Sequence, residues 1–412
     1  MKTYKHIFEE LLKEENITQC FHDAAKRKTT RPEVARVLKE EREVGNDRPE
    51  PQCLQEHVKA LQKMLEEETY QPPEHKKMLI NEYSCGKVRE IIKPEFQYEQ
   101  VVHHCIIKQL QPIVLHGLYE HALGSIPNRG CHSGKKQVEK WIKGYRGKKF
   151  YILKADVRHC FDTEDIRVIE TKLKRVIKDE RFVRLCSTVM EHEATMKPPE
   201  FDREWIEDEQ WKDTEFLSGL PLGFVTSQWF TQLNYKELDH KIVEEWKELG
   251  GVDHSIRYAD DIVAFGRNKK KLHRLKDVMS EYMKNEMHQK IKYNWQVFRF
   301  EYPDRKAPPV IDKKTGKEKP KTRGRALDFM GFVFHYNRTT LRKSILKRAT
   351  KRAHRIAKKE KVNKHSKKGV KNNDVRMVSV RKHGQADRVG HDIKPDSGLS
   401  AKEHRRADQE GH

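Results

Sequence analysis

The chain is poor in what a membrane-embedded or secreted protein requires. Hydrophobic residues make up 35% and aromatic residues 8% of its 412 residues. No run approaches the roughly 18–20 apolar residues of a membrane span, so no membrane partner is expected. Cysteines number seven, an odd count, and no two stand in C-x-x-C spacing. That argues against a disulfide framework and gives a zinc site little support. The cluster His103-His104-Cys105 lies on a helix-like stretch with no matching second half, and is read as packing. The N-terminus lacks the profile of a signal peptide. There Tyr4, Ile7, Phe8, Leu11 and Leu12 recur at helical spacing with acids between them, and an intracellular, cytoplasmic location is expected. Acids are also outnumbered. Lys and Arg total 85 against 63 Asp and Glu, leaving a net charge of +22. Such an excess attracts phosphate backbones through counterion release and points to a polyanionic partner.

The apolar positions that are present organise the chain. Residues 1–75 read as helices with charged faces. Residues 76–94 look extended, with a hairpin near Cys85-Gly86. Val101, Val102, Ile106, Ile107 and Leu110 mark a helix within 95–114. A Gly/Pro turn at 124–130 precedes a further helix. The run Phe150-Tyr-Ile-Leu-Lys-Ala-Asp-Val157 is nearly continuous in apolar character, as in a strand buried on both faces. Residues 162–190 read as helical, and Gly219–Gly223 as a turn leading into another helix. Residues 255–266 read as strand–turn–strand and 269–287 as helix. The stretch 303–325 is a Pro/Gly/Lys-rich loop. Residues 326–334 are apolar again, 342–364 form a strongly basic helix, and the polar, aromatic-free stretch 366–412 is expected to be poorly ordered.

The most informative segment is Tyr258-Ala259-Asp260-Asp261, flanked by Ile256 and by Ile262-Val263-Ala264-Phe265. Two adjacent acids at the tip of an apolar hairpin are costly unless a positive charge meets them. Asp156 ends the other apolar strand. If the two strands lie side by side, Asp156 and Asp260 converge. Converging carboxylates suit Mg²⁺, which prefers hard oxygen ligands, and two such ions support phosphoryl transfer.

With these residues in view, the chain resembles a reverse transcriptase. Tyr258–Asp261 matches that family's Y-x-D-D box. Asp156 with Phe161 matches the first catalytic box, and Gly223 with Ser227 the G-x-x-x-S box. Phe329-Met330-Gly331-Phe332 resembles the primer-grip box, and Gly124–Gly130 a fingers segment of group II intron and retron enzymes. The boxes occur in order over roughly residues 75–350. The resemblance implies an α+β, right-hand polymerase fold, with fingers, a palm built on a small antiparallel sheet backed by helices, and a helical thumb. The expected division is an N-terminal helical segment (1–75), fingers (76–150), palm (151–334, with a basic insertion at 303–325), thumb (335–365) and tail (366–412).

The resemblance also implies residue roles. Asp156, Asp260 and Asp261 would be catalytic and, with Val157, would hold two Mg²⁺ ions, for which Mn²⁺ can substitute. Phe161 would lie beneath the sugar of the incoming deoxynucleoside triphosphate and exclude a 2′-hydroxyl. Arg89, Gly223, Gln228 and Lys292 would line the nucleotide site, with Lys292 a candidate to protonate pyrophosphate. Arg129, Tyr258, Phe329, Met330 and Gly331 would touch RNA template, primer or RNA–DNA hybrid, joined by Lys347, Arg348, Lys351 and Arg352 on the basic helix. The second box reads Leu222-Gly-Phe-Val-Thr-Ser-Gln228, with an aliphatic residue where most members have Gln and Gln where most have Pro. This resembles the enzymes of diversity-generating retroelements, bacterial or phage-encoded, which make mutagenic cDNA with a small basic accessory protein. A retron, group II intron-like or phage-defence enzyme is the alternative, and an RNA-binding scaffold on the same fold is the second. The sequence contains no H-N-H or C-x-x-C endonuclease module after the thumb, which favours the first reading over a full mobile-intron protein.

Overall fold

The computed structural model describes residues 2–41, 49–75, 77–82, 87–192, 194, 217–304, 306–311, 316 and 318–366. The expected hairpin tip at Cys85-Gly86 and nearly all of the expected tail lie outside these residues. The chain divides into two units, Met1–Arg342 and Lys343–His412.

The first unit opens with helices α1 (Ile7–Leu12), α2 (Glu14–Ala25), α3 (Pro32–Val37) and α4 (Leu54–Glu66). Leu11, Ile17, Phe21, Val58 and Leu61 are buried with Val101 and Leu110 of α5 (Val101–Leu115) in one apolar cluster. Between these helices runs an antiparallel hairpin, β1 (Lys77–Glu82) and β2 (Lys87–Ile92). Met78, Leu79, Ile80 and Val88 on it are exposed. A π-helical turn, Phe96–Gln100, leads directly into α5.

The central element is a five-stranded sheet of β3 (Ala122–Leu123), β4 (Tyr151–Asp156), β5 (His254–Tyr258), β6 (Asp261–Gly266) and β7 (Gln296–Arg299), in the order β3-β5-β6-β4-β7. Only the β3–β5 pair is parallel. Alternating side chains feed two cores. Ile152, Ile256, Val263 and Phe265 pack with Val138 and Trp141 of α6 (Cys131–Gly144). Leu153, Ile262 and Ala264 pack with Tyr235 and Leu238 of α9 (Val225–His240) and with Leu272, Leu275 and Met279 of α11 (Lys269–Met287). Burial on both faces is the physical reason these strands lack a polar alternation. The α+β class and the antiparallel sheet backed by helices are as expected.

Two expectations need correction. Residues 162–190 are not one helix. A 3₁₀ turn (Phe161–Thr163) precedes α7 (Ile166–Val176) and α8 (Glu180–Glu191). Ile177 is extended and bridges Tyr4, and Asp179 restarts the helix by accepting from the Phe182 N–H. A long-range contact with the N-terminus thus overrides local helical periodicity. The stretch 303–325 is not a featureless loop. Strand β8 (Tyr302–Pro303) pairs with β11 (Thr322–Arg323), and β9 (Val310–Ile311) with β10 (Glu318–Lys319). The nearly buried Asp304 carboxylate holds the fold-back through Arg323 Nε at 2.7 Å.

A single helical turn, α10 (Lys247–Gly250), lies between α9 and β5. After the central sheet, β12 (Leu327–Phe329), β13 (Phe332–Phe334) and β14 (Thr339–Leu341) form a separate antiparallel sheet. Its tight turn has φ 53° at Met330 and φ 82° at Gly331, the backbone of a two-residue hairpin whose twist matches its strands. In the second unit, α12 spans Lys343–Ser366. Among the described residues, no helix is long and apolar enough to cross a membrane.

Candidate active site

Strand pairing brings the acids together. Asp156, the last residue of β4, stands opposite Asp261, the first residue of β6, and Tyr258 stands opposite Asp261 across the β5–β6 turn. Asp260 therefore sits at the turn beside the end of β4. Burial pushes its carboxyl up to about 7, reinforced by the charge and hydrogen bond of Asp156 and by Asp261. Burial also raises Asp261, against the opposing charge of Lys154. Val157 follows Asp156 and bridges Ile291; a valine side chain carries no donor atom, so only its carbonyl could ligate.

The turn is braced from outside. Ala259 has φ 54°, unusual for a residue with a Cβ, and its N–H donates to the Leu123 carbonyl at 3.0 Å. Gly124 follows Leu123 with φ 91°, and a Cβ there would lie 3.0 Å from Ala259 N. The Gly/Pro segment at 124–130 thus packs against the Y-x-D-D turn. Arg129 spends Nη1 on the Tyr119 carbonyl at 3.0 Å, closing its own loop.

Lys292 reaches the acids. Its N–H donates to the Asp156 carbonyl at 2.8 Å and its Nζ to Asp156 Oδ1 at 2.7 Å. The preceding residues are pinned. Gln289 is wholly buried between Tyr235 Oη, at 2.6 Å, and the Cys160 carbonyl, at 3.0 Å.

Phe161 is half-buried against the helical core, and its carbonyl accepts from the Leu220 N–H at 2.7 Å. That bond joins it to the turn carrying Gly223. Gly223 has φ 119°, and a Cβ on it would stand 2.2 Å from the Ile92 carbonyl oxygen. The Ile92 N–H donates to the Leu222 carbonyl at 2.9 Å. Strand β2 is thereby held against this turn. Its Arg89 is exposed, and its charge lowers Asp162 against the burial that raises that carboxyl. Gln228 is exposed in the first turn of α9. The structure thus brings the segments carrying Arg89, Phe161 and Gly223 together.

In the 329–332 hairpin the expected contacts divide. Phe329 is wholly buried and supports the turn from beneath, so direct contact with nucleic acid by its side chain is corrected to a packing role. Met330 and Gly331 are half-exposed, as is Tyr258, which packs on the same core. The turn is tied to the sheet. Lys154 Nζ donates to the Asp328 carbonyl at 2.9 Å, Arg342 Nε to Asp328 Oδ1 at 2.8 Å, and the Arg342 N–H to the Gly331 carbonyl at 2.8 Å. Lys347, Arg348, Lys351 and Arg352 are exposed on α12, spaced to share a face.

The buried polar support of this site, chiefly Arg257, Asp239, Gln232, Gln289 and Glu164, stands outside the sequence motifs. The available signal is Arg257 itself, a charged residue between Ile256 and the Tyr258–Asp261 turn, since a buried guanidinium demands a partner.

The donor set fits a divalent cation. Hard carboxylate oxygens crowd at Asp156 and Asp260; burial first, and then the charges of Asp156 and Asp261, raise Asp260, and a cation would relieve that repulsion. Among the described residues no group of three or more His, Cys, Asp and Glu could hold a metal by itself. Mg²⁺ suits such a partial set, because it commonly binds through one or two carboxylates with water and phosphate completing its shell.

The chain is 22% identical over 195 residues to group II intron-encoded protein LtrA of Lactococcus lactis subsp. cremoris, covering 46% of this chain and 29% of the relative. It is 30% identical over 108 residues to the mitochondrial nuclear intron maturase 1 of Arabidopsis thaliana, covering 26% of this chain and 14% of the relative. It therefore spans less than a third of the length of these curated relatives. Among solved structures, apo telomerase from Candida tropicalis, truncated from its C-terminal domain, aligns at TM-score 0.40 and 14% identity over 65% of this chain and 54% of that one. Telomerase from Candida albicans with a fragment of telomeric RNA aligns at TM-score 0.44 and 11% identity, over 67% and 46%. The family profile described as "Reverse transcriptase (RNA-dependent DNA polymerase)" matches residues 74–296, more than half of the chain. The chain belongs to the reverse transcriptase family, and its α+β architecture is that family's right-hand polymerase fold.

Proposed function

We propose that this chain is an RNA-directed DNA polymerase that joins deoxynucleotides to a primer 3′-hydroxyl on an RNA template. The observation that carries this reading is the register Asp156–Asp261 across β4 and β6, with Asp260 in the turn between β5 and β6. Asp156, Asp260 and the Val157 carbonyl would hold two Mg²⁺ ions, or Mn²⁺ in their place, with Asp261 beside them. When bound, such ions neutralise charge at the reacting phosphate and acidify the attacking hydroxyl. Phe161 bounds the sugar, Arg89 and Lys292 meet the triphosphate, Gly223 and Gln228 border the templating base, and Met330-Gly331 steadies the primer end. Arg129 and Tyr258 border the template, and Lys347, Arg348, Lys351 and Arg352 follow hybrid phosphates. Residues 76–150 serve as fingers, 151–334 as palm and 335–365 as thumb.

Within the family, Leu222 and Gln228 favour a mutagenic enzyme of a diversity-generating retroelement, assisted by a small basic protein. The intron-encoded and maturase relatives favour an intron-associated role as the second reading.

The test is primer extension on poly(rA)/oligo(dT) with Mg²⁺, beside Asp260→Asn. Incorporation that falls at least a thousandfold in the variant supports polymerase chemistry at these acids. Equal incorporation by both proteins would exclude it, and absent incorporation with tight, salt-sensitive RNA binding would favour the scaffold reading. Sequencing products from a mixed template distinguishes the subgroups. Errors concentrated at template adenines favour the retroelement enzyme, and even, low error favours the intron-associated role.

A further inference from the structure

Arg257 is 1% exposed, and each of its three guanidinium nitrogens donates a hydrogen bond. Nε donates to Asp239 Oδ1 at 2.9 Å and Oδ2 at 3.0 Å, and Nη2 to Asp239 Oδ2 at 2.6 Å. Nη2 also donates to Gln232 Oε1 at 2.9 Å, and Nη1 to the Ala259 carbonyl at 2.9 Å. The plane lies over the Tyr235 ring, 5.1 Å from its centroid. Gln232 passes the connection on, its Nε2 donating to the Gly124 carbonyl at 2.9 Å. Gln232, Tyr235 and Asp239 fall at i, i+3 and i+7 on α9, one buried face. Gln228 stands one turn before Gln232 on that helix.

A buried ion pair is poor evidence of a stability role, because desolvation consumes most of what the charges return. The informative bond is the one that leaves the pair. It ends on Ala259, whose left-handed backbone is disfavoured and persists only where the surroundings impose it. A lysine could keep the charge against Asp239 but could not span Asp239, Gln232 and the Ala259 carbonyl at once, because those three contacts need a rigid fork.

We propose that Arg257 is a positioning residue. Held by Asp239 and Gln232, it locks Ala259 so that Asp260 faces Asp156, and it couples that aim to α9 and to the Gly124 segment. This inference rests on the reading of Asp156 and Asp260 as the reacting-centre carboxylates.

The test compares Arg257→Lys and Gln232→Ala with the full-length wild-type chain. It reads primer-extension kcat and KM for dTTP, RNA affinity, melting temperature, and Mn²⁺ affinity by electron paramagnetic resonance without nucleotide. Expected are a kcat at least tenfold lower in Arg257→Lys and about threefold lower in Gln232→Ala, as for lost preorganisation. KM and RNA affinity should stay within about twofold in both, while Mn²⁺ binds about fivefold more weakly in Arg257→Lys. Gln232→Ala removes one neutral partner, so it remains informative if Arg257→Lys misfolds. Unchanged kcat and Mn²⁺ affinity would overturn the proposal, as would parallel losses of kcat, RNA affinity and melting temperature. If the wild type incorporates nothing yet binds Mn²⁺ through Asp260, the polymerase reading fails alone. The Mn²⁺ shift then decides this proposal, a weakened affinity supporting it and an unchanged one overturning it. Absence of both incorporation and Mn²⁺ binding would overturn both.

Discussion

Lys292 grips Asp156 twice, through its backbone N–H to the carbonyl at 2.8 Å and through Nζ to Oδ1 at 2.7 Å. Both side chains keep roughly a third of their surface accessible, 31% and 29%. An ion pair this open adds little stability, so its value is in position. On the proposed polymerase reading, this cation beside Asp156 would meet the charge of a departing pyrophosphate. Lys292→Met should retain the fold and RNA affinity, and lower kcat by about 10²–10⁴ if Lys292 donates a proton. Pre-steady-state incorporation of a single nucleotide checks this, since it separates chemistry from product release.

Phe161 is anchored by its carbonyl and packs, half-buried, against the helical core. Phe161→Ala should reduce the preference for deoxy- over ribonucleotides by roughly 10–100-fold, because a steric wall is removed and no hydrogen bond is lost. Competing dTTP and UTP on one template measures the ratio directly. An unchanged ratio would return Phe161 to a purely packing role.

Gly223 is required by space as well as by backbone. A Cβ 2.2 Å from the Ile92 carbonyl oxygen cannot be accommodated by rotating a side chain, since the obstacle is main chain. Gly223→Ala should therefore force β2 away from the turn, at about 2–4 kcal/mol, combining backbone strain with overpacking. A lower melting temperature and weakened incorporation are expected together. Substituting Gly130, where an added Cβ meets nothing within 4 Å, should be far milder.

Glu164 is wholly buried and accepts from Asn234 Nδ2 at 2.5 Å. Burial pushes its carboxyl up to about 7 from 4.5. The folded protein then holds a proton that the unfolded chain has already released between those values. Stability from this group is full below about pH 4.5 and is lost as pH rises through about 7, by about 3 kcal/mol. Glu164→Gln should flatten that limb in urea titrations between pH 5 and 7.5. The nearby Lys172, lowered by burial to about 8, contributes in a separate window: stability rises with pH between about 8 and 10.5.

Much of the site was legible because its chemistry is local. Tyr258–Asp261 and Asp156 announce themselves as acids within apolar strands, and the apolar runs reveal a sheet covered on both faces. The break at Ile177 was not legible. Its cause is a bridge to Tyr4, more than 170 residues away. Phe329 illustrates the same limit, since neighbours in a motif look equivalent in sequence while one lies in the core and the next at the turn.

The sequence by itself determined which groups carry charge, where most of the strands and helices run, and that acids end two apolar strands. These follow from residue type and short-range periodicity, which the chain encodes position by position. Only the tertiary structure decided that Lys292 stands on Asp156, that Gly223 makes room for Ile92, and that Arg257 joins Asp239, Gln232 and Ala259. Those relations depend on register and helix placement across long stretches of chain. Register is set by the packing of whole faces, and a slip of one residue in β5 would turn Arg257 to the opposite side of the sheet, away from Asp239 and Gln232.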